Sequence, residues 1–433
     1  MKVLVIGGGG REHALVWKLE KSPLVEEIWC APGNGGILRD APCLPLDVSD
    51  VKASADLAER MRADLTVVGP ELPLVLGIAD EFASRGLLLL GPTKQGAQLE
   101  GSKVFAKRFL ERHRIPTAAV YGVFNSRIDI YNELCAVDWP LVIKADGVCA
   151  GKGVLVTSSP DEATAFVDRI MDRRIFGDAG KSVLLEEGLR GRELSYIILT
   201  DGTNFIPMAP TRDYKRVSDG DEGANTGGMG AYSTHDLLPM ELERRIIETV
   251  VRPTLDGLRS EGIAYRGFLY FGLMLTAEGP KVLEFNCRLG DPEAEVIVLR
   301  ADFDLAQACL AAAQGKQGKP ETKWAPSSAA CVVLASEGYP DTPKTGVSIS
   351  GLEEASATGA VIFHAGTQLN GNTYRTSGGR VLMVCAAGDD MGEVRKRIYN
   401  AASCIRIEGS HYRRDIGVQE RGSKGINSTA ATY

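Results

Sequence analysis

The segment Lys281-Val282-Leu283-Glu284-Phe285-Asn286-Cys287-Arg288-Leu289-Gly290-Asp291-Pro292-Glu293 carries the most concentrated chemistry in the chain. Residues two apart in a strand share a face. Glu284, Asn286 and Arg288 therefore project together, while Leu283, Phe285 and Cys287 turn toward the core. Carboxylate and amide oxygens are the hard ligands Mg²⁺ takes alongside phosphate oxygens and water. Arg288 would then neutralise charge on a transferring phosphoryl group or an acyl phosphate. A polar strand face pairing with its own lysines is the plain alternative. It leaves three aligned hydrogen-bonding side chains beside a wholly apolar face unexplained.

Two further stretches suit a polyphosphate. Leu141-Val142-Ile143-Lys144 ends a buried strand on a lysine, a charge seldom placed there without a partner anion. Gly147, Gly151, Lys152 and Gly153 follow, a loop able to close over phosphates with its amides. It is not a Walker loop, because no Gly-Lys-Ser/Thr closes it. Alone, it is equally compatible with a surface hairpin. Val183–Glu187 runs an apolar strand into Glu186 and Glu187, with Glu193 six residues beyond Glu187. Such an edge can offer backbone groups to an adenine and a carboxylate to ribose hydroxyls. Without context, a plain edge strand with solvated acids explains it as well.

Gly7-Gly8-Gly9-Gly10 lies between a strand and a helix and invites a dinucleotide-binding reading. The fingerprint fails, since Glu12 or His13 stands where its third small residue belongs. The second strand also ends Cys30-Ala31-Pro32-Gly33-Asn34, with no acid for a ribose. What remains is a helix N-terminus able to hold an anion, or glycines that serve only a tight turn. Gly69-Pro70-Glu71 and Gly91-Pro92-Thr93 also end parallel strands, where ligands of open α/β sheets gather.

The elements that must position these groups fall into three textures. Up to about residue 102, strands at Lys2–Ile6, Glu27–Ala31, Leu65–Val68 and Leu87–Leu90 alternate with helices such as Arg11–Lys21, which predicts a parallel sheet. A basic helix, Lys103–His113, opens the second part. It continues with strands at Leu141–Ala145, Val154–Thr157, Val183–Glu187, Leu194–Thr200, Gly267–Thr276 and Lys281–Asn286, and with a helix over Glu241–Ser260. Five glycines between Asp213 and Tyr232 predict a long flexible loop. Beyond Lys319 short strands dominate, with a hairpin around Asn370-Gly371. The expected domains are 1–102, 103–325 with a lid subdomain near 120–190, 326–421 of mostly β character, and a flexible tail at 422–433.

Bulk properties narrow the function. The chain has 433 residues, enough for about two to four domains, and a net charge of −7, which argues against nucleic acid as partner. No apolar run approaches the roughly 20 residues of a membrane helix, and the start lacks a signal-peptide pattern. Nine cysteines without a Cys-x-x-Cys pair point to reduced thiols in the cytoplasm and away from zinc.

With these residues in view, the chain resembles the ATP-grasp superfamily and, within it, the phosphoribosylamine–glycine ligase family. The resemblance spans nearly the whole sequence. It is carried by Gly9-Gly10-Arg11-Glu12-His13-Ala14, Gly69-Pro70-Glu71, Leu99-Glu100-Gly101-Ser102-Lys103 and Lys144-Ala145-Asp146-Gly147. Arg212-Asp213-Tyr214-Lys215-Arg216-Val217, Asn225 to Tyr232 and, most specifically, Arg288-Leu289-Gly290-Asp291-Pro292-Glu293 add to it. Gly8 and Cys149 depart from the family pattern without removing a reactive group. The resemblance implies an α/β and α+β multidomain enzyme. Its ATP-grasp fold would stand between an amino-terminal parallel α/β domain and a carboxy-terminal mostly β domain. It further implies joining of glycine to 5-phosphoribosylamine with ATP and Mg²⁺ (or Mn²⁺), in a monomer or small homo-oligomer.

By the same resemblance, Lys103, Lys144, Gly151 and Gly153 would hold phosphates. The segment with Glu186, Glu187 and Leu189 would take adenine through its backbone, and Glu193 the ribose. Glu284 and Asn286 would bind the metal, and Arg288 would face the acyl phosphate. Asp213 and Lys215 would sit at the reacting groups, with Asp291, Glu293 and Glu71 on the substrate side. Gly8, Gly9, Gly10, Arg11 and Glu12 would receive the ribose phosphate. A different ATP-grasp ligase, a biotin-type carboxylase and a non-catalytic nucleotide-binding scaffold are the alternatives.

Overall fold

The computed structural model describes residues 1–149, 152–318, 323–418 and 431–432. The amino-terminal sheet has the order Glu27–Pro32, Lys2–Gly7, Leu65–Val68, Leu89–Leu90, and every pairing is parallel. Val3, Leu4, Val5 and Ile6 are all fully buried, as a strand covered by helices on both faces requires. The expected fourth strand shortens to Leu89–Leu90, and the first helix spans Gly10–Leu19.

Two antiparallel sheets follow. Val120–Phe124, Val183–Glu187, Leu141–Ala145 and Val154–Thr157 form one, with its own core around Ile143, Phe166 and Leu185. Phe205–Pro207, Arg190–Thr200, Gly267–Thr276 and Gly279–Asn286 form the other. The functional cleft opens between these sheets and is closed from the side by the amino-terminal loops.

Several expectations need correction. The stretch from Asp213 to Tyr232 is not a loop. Arg212–Asp213 pairs with Gly230–Ser233, and Arg216–Ser218 forms a hairpin with Glu222–Asn225. Gly220, Gly223 and Gly228 have φ of 72°, 82° and 110°, so these glycines supply left-handed turns rather than mobility. Gly230–Ser233 also pairs with Ser328–Ala335, so this segment extends the carboxy-terminal sheet, which continues with Arg380–Gly388 and Val361–His364. The helix expected at Glu241–Ser260 contains a π turn over Ile247–Val251, just before Pro253, which has no amide to donate.

The hairpin at Asn370-Gly371 joins Thr367–Asn370 to Thr373–Thr376. Helices Leu352–Ala357 and Met391–Cys404 lie in the part expected to be mostly β. Their signal was present: Asp390 caps the second, and Val394, Ile398 and Ala402 bury one stripe of it. Of the tail, Ala431–Thr432 pair with Gly191 and Arg190, and 422–430 and 433 lie outside the described residues.

Candidate active site

The strand Gly279–Asn286 lies against Gly267–Thr276 with Glu284 opposite Gly272 and Asn286 opposite Tyr270. A side chain at Gly272 would begin 3.0 Å from the Glu284 Cγ, so the glycine leaves room for the carboxylate. Leu283, Phe285 and Cys287 are buried, and Glu284 and Asn286 line a cleft of about 560 Å³ that Leu283 and Phe285 also border. The strand expected to carry Arg288 ends at Asn286, so Arg288 reaches the cleft from the bend beyond it. Lys103, Lys144, Gly153, Glu186, Asp213, Lys215, Glu71, Asp291 and Glu293 line the same cleft, as do Gly8, Gly9, Arg11 and Glu12. Residues scattered over nearly 300 positions are thus brought to one opening.

Other candidates fall elsewhere. Gly10 lies outside the lining, packed within 3 Å of Glu295 and Met383 were it to carry a side chain. Leu189 is buried with Ala118, Met274 and Leu283. Glu187 accepts the Ala119 amide at 2.9 Å, and neither it nor Glu193 lines the opening. Gly151 lies outside the described residues. The amide of Gly9 is taken by the Glu12 carboxylate, whose other oxygen is 2.6 Å from Arg11 Nε. That amide, expected to serve an anion, is already satisfied.

Arg288 is clamped from the amino-terminal domain. Its Nε donates to Glu71 Oε2 at 3.1 Å, and its Nη2 lies 2.9 Å from Glu100 Oε1. Glu100 also accepts the Cys287 amide at 2.7 Å, fixing both ends of the contact. Burial pushes the Glu71 carboxyl up, but Arg288 and Arg11 outweigh it and hold the group at about 2. For Glu100 burial wins over Arg288, and its carboxyl titrates above the usual range. Glu71 therefore adds stability that is complete above about pH 4.5 and fades as the pH falls toward 2. In denaturant titrations the gap between wild type and Glu71→Gln should be flat above that range and narrow below it. A gap that stays constant down to pH 2 would refute the contact.

Lys215 sits among several carboxylates. Its ammonium is 3.5 Å from Glu193 Oε2 and 3.5 Å from Glu284 Oε1. Burial and the neighbouring acids push Glu193 and Asp213 above the usual carboxylate range. Burial and Asp213 raise Glu293 to about 7, although Ser195 donates to it at 3.0 Å. Glu284 is the exception: burial raises it, yet Lys215, Lys103, Lys144 and Arg288 hold it ionised. An ionised carboxylate beside an amide on the same cleft fits a divalent cation. Among the described residues no three His, Cys, Asp or Glu side chains form a protein-only metal cage.

Sequence reasoning gave no role to Glu100, Lys107 or Arg380, all of which line the cleft. Lys107 lies one helical turn beyond Lys103, so its spacing gave a signal. Arg380 donates to the carbonyls of Gly227 and Asp291, both at 2.6 Å, and closes the carboxy-terminal side.

Comparison with known proteins matches this architecture part by part. Residues 1–100 match the Phosphoribosylglycinamide synthetase N domain, 101–294 its ATP-grasp (A) domain, and 329–419 its C domain. The chain belongs to the phosphoribosylglycinamide synthetase family. The phosphoribosylamine–glycine ligase of Salmonella typhimurium is 47% identical over 422 residues, covering 96% of this chain and 98% of the relative. That of Pseudomonas aeruginosa is 47% identical over 429 residues, covering 98% and 100%. The crystal structure of the Thermotoga maritima phosphoribosylamine–glycine ligase superimposes with a TM-score of 0.84 at 36% identity, covering 96% and 100%. A biotin carboxylase from Campylobacter jejuni, at 14% identity and TM-score 0.72, covering 96% and 94%, shares the fold. For a phosphoribosylglycinamide synthetase, the biotin-type alternative therefore survives as a shared fold only.

Proposed function

We propose that this ATP-dependent carboxylate–amine ligase joins glycine to 5-phosphoribosylamine in purine synthesis, giving glycinamide ribonucleotide, ADP and phosphate. The carrying observation is the convergence of Glu284 and Asn286, at the end of one strand, and Arg288, in the bend just past it, on the cleft that also holds Lys103 and Lys144. Family membership supplies the substrate class.

The reaction divides in two. A glycine carboxylate oxygen attacks the γ-phosphorus in line and ADP leaves, giving glycyl phosphate. The amine nitrogen of phosphoribosylamine then attacks the glycyl carbonyl carbon, phosphate departs and the nitrogen loses a proton. Such phosphoryl transfer needs positioning and charge neutralisation more than covalent chemistry. Lys103 and Lys144 hold the phosphates; the backbone of segment 186–189, of which only Glu186 lines the cleft, would receive adenine, and Glu193, outside the lining, the ribose. Glu284 and Asn286 would hold Mg²⁺ or Mn²⁺, which would supply positive charge against the phosphates. Arg288, kept flat by Glu71 and Glu100, faces the acyl phosphate. Asp213, Lys215, Asp291 and Glu293 surround the amine and glycine, and the Gly8–Glu12 loop receives the ribose phosphate. The Val120–Glu187 unit acts as a lid that keeps water from the acyl phosphate.

No helix among the described residues is long and apolar enough to cross a membrane. We place the enzyme in the cytoplasm, as a monomer or small homo-oligomer. The deciding experiment is an ADP-release assay with each substrate omitted in turn. Release is expected only with ATP, glycine and phosphoribosylamine together. Turnover with bicarbonate in place of phosphoribosylamine would refute the assignment.

A further inference from the structure

We infer that Lys107 is a positioning residue for nucleotide binding: it holds the Glu186 carboxylate so that Lys144 remains available to the phosphates. The inference rests on the assignment of Lys144 to ATP made above. Lys103 and Lys107 stand one turn apart on the helix Lys103–Arg112. Lys107 is buried more deeply, at 4% exposure.

Lys107 makes two hydrogen bonds and one ion pair. Its Nζ donates to Thr117 Oγ1 at 2.7 Å and to the Ala118 carbonyl at 3.4 Å, and lies 3.0 Å from Glu186 Oε1. Thr117 passes the connection on, donating to the Val282 carbonyl of the metal-site strand at 2.7 Å. Lys144 meets two oxygens among the described residues, the Leu283 carbonyl and Glu186 Oε2, each at 2.9 Å. One buried carboxylate thus bridges two ammonium groups, and one positive charge is left over for a nucleotide.

Glu186 needs both cations. Burial pushes its carboxyl up, and Lys144 and Lys107 together bring it below the usual range. Its Oε1 accepts no hydrogen bond and is held by the charge of Lys107. Burial lowers Lys107 to about 8 against the pull of Glu186. Take Lys107 away, and the carboxylate turns its whole charge on Lys144. The pair becomes neutral, and a buried negative charge faces the phosphates with little screening.

The test is calorimetric titration of Mg·ADP into the full chain as wild type, Lys107→Met and the double variant Lys107→Met/Glu186→Gln. The single change should weaken binding by about tenfold or more. The double change restores the net charge of the cluster and should return affinity to within about threefold of wild type. In both variants the glycine KM should stay within about twofold, a split that general loosening of the fold would not give. Unchanged binding by the single variant would overturn the inference, as would a double variant no better than the single. If the single variant does not fold, the double carries the test, and tenfold weaker binding there overturns it. A wild type that fails to bind Mg·ADP would instead overturn the nucleotide assignment, and this inference with it.

Discussion

Replacing Arg288 by methionine is expected to lower kcat by about 10²–10³-fold, the usual loss when one preorganised charge donor is removed from a transition state. It should also destabilise the fold by about 3 kcal/mol, the lower end for a broken buried pair. The lower end applies because the Glu71 side chain is 23% exposed. Glu100, only 9% exposed, is the costlier carboxylate to strand. The two effects are separable by Arg288→Lys. Lysine keeps the charge but has no planar fork with which to meet Glu71 and Glu100 together. It should recover part of the stability and little of the rate. Single-turnover rates with denaturant midpoints on the same samples decide the matter. A methionine variant that loses stability but keeps its rate would leave Arg288 a strut between domains.

The strand face around Arg288 was legible in the sequence because alternation along a strand is a local rule. Glu284 and Asn286 need only their own spacing to share a face, whereas Arg288 lies in the bend past the strand's end and alternation does not place it. The amino-terminal sheet was legible for the same reason, since fully buried parallel strands read as unbroken apolar runs. The partners of Arg288 were not legible by that route. Glu71 and Glu100 lie 217 and 188 positions away, and no local pattern encodes which carboxylate meets which guanidinium. The glycines of 220–228 misled because glycine marks both mobility and left-handed turns. Only the pairing of Gly230–Ser233 with Ser328–Ala335 shows which applies. Glu186 shows the same limit. A strand edge ending in two acids looked solvated, yet one of them is 1% exposed and bridges two lysines.

Changing Glu284 to alanine should cost at least about tenfold in kcat, roughly 1.4 kcal/mol of barrier, with a raised Mg²⁺ requirement. The argument starts from charge. Glu284 stays ionised because Lys215, Lys103, Lys144 and Arg288 overcome its burial, whereas Asp213 and Glu193 are raised partly by Glu284 itself. Removing it therefore takes away the carboxylate best prepared to meet a cation. It also relaxes its two neighbours toward ordinary values, so their acid limb should move down in pH. Glu284→Gln separates the parts, since it keeps an oxygen but removes the charge. If the carboxylate serves the metal, glutamine should behave like alanine in its Mg²⁺ midpoint and differ from it little in stability. Near-normal turnover of either variant at saturating Mg²⁺ would mean that the ion is held elsewhere. The strand would then serve Lys215 alone, orienting an ammonium that already lies 3.5 Å from two carboxylates.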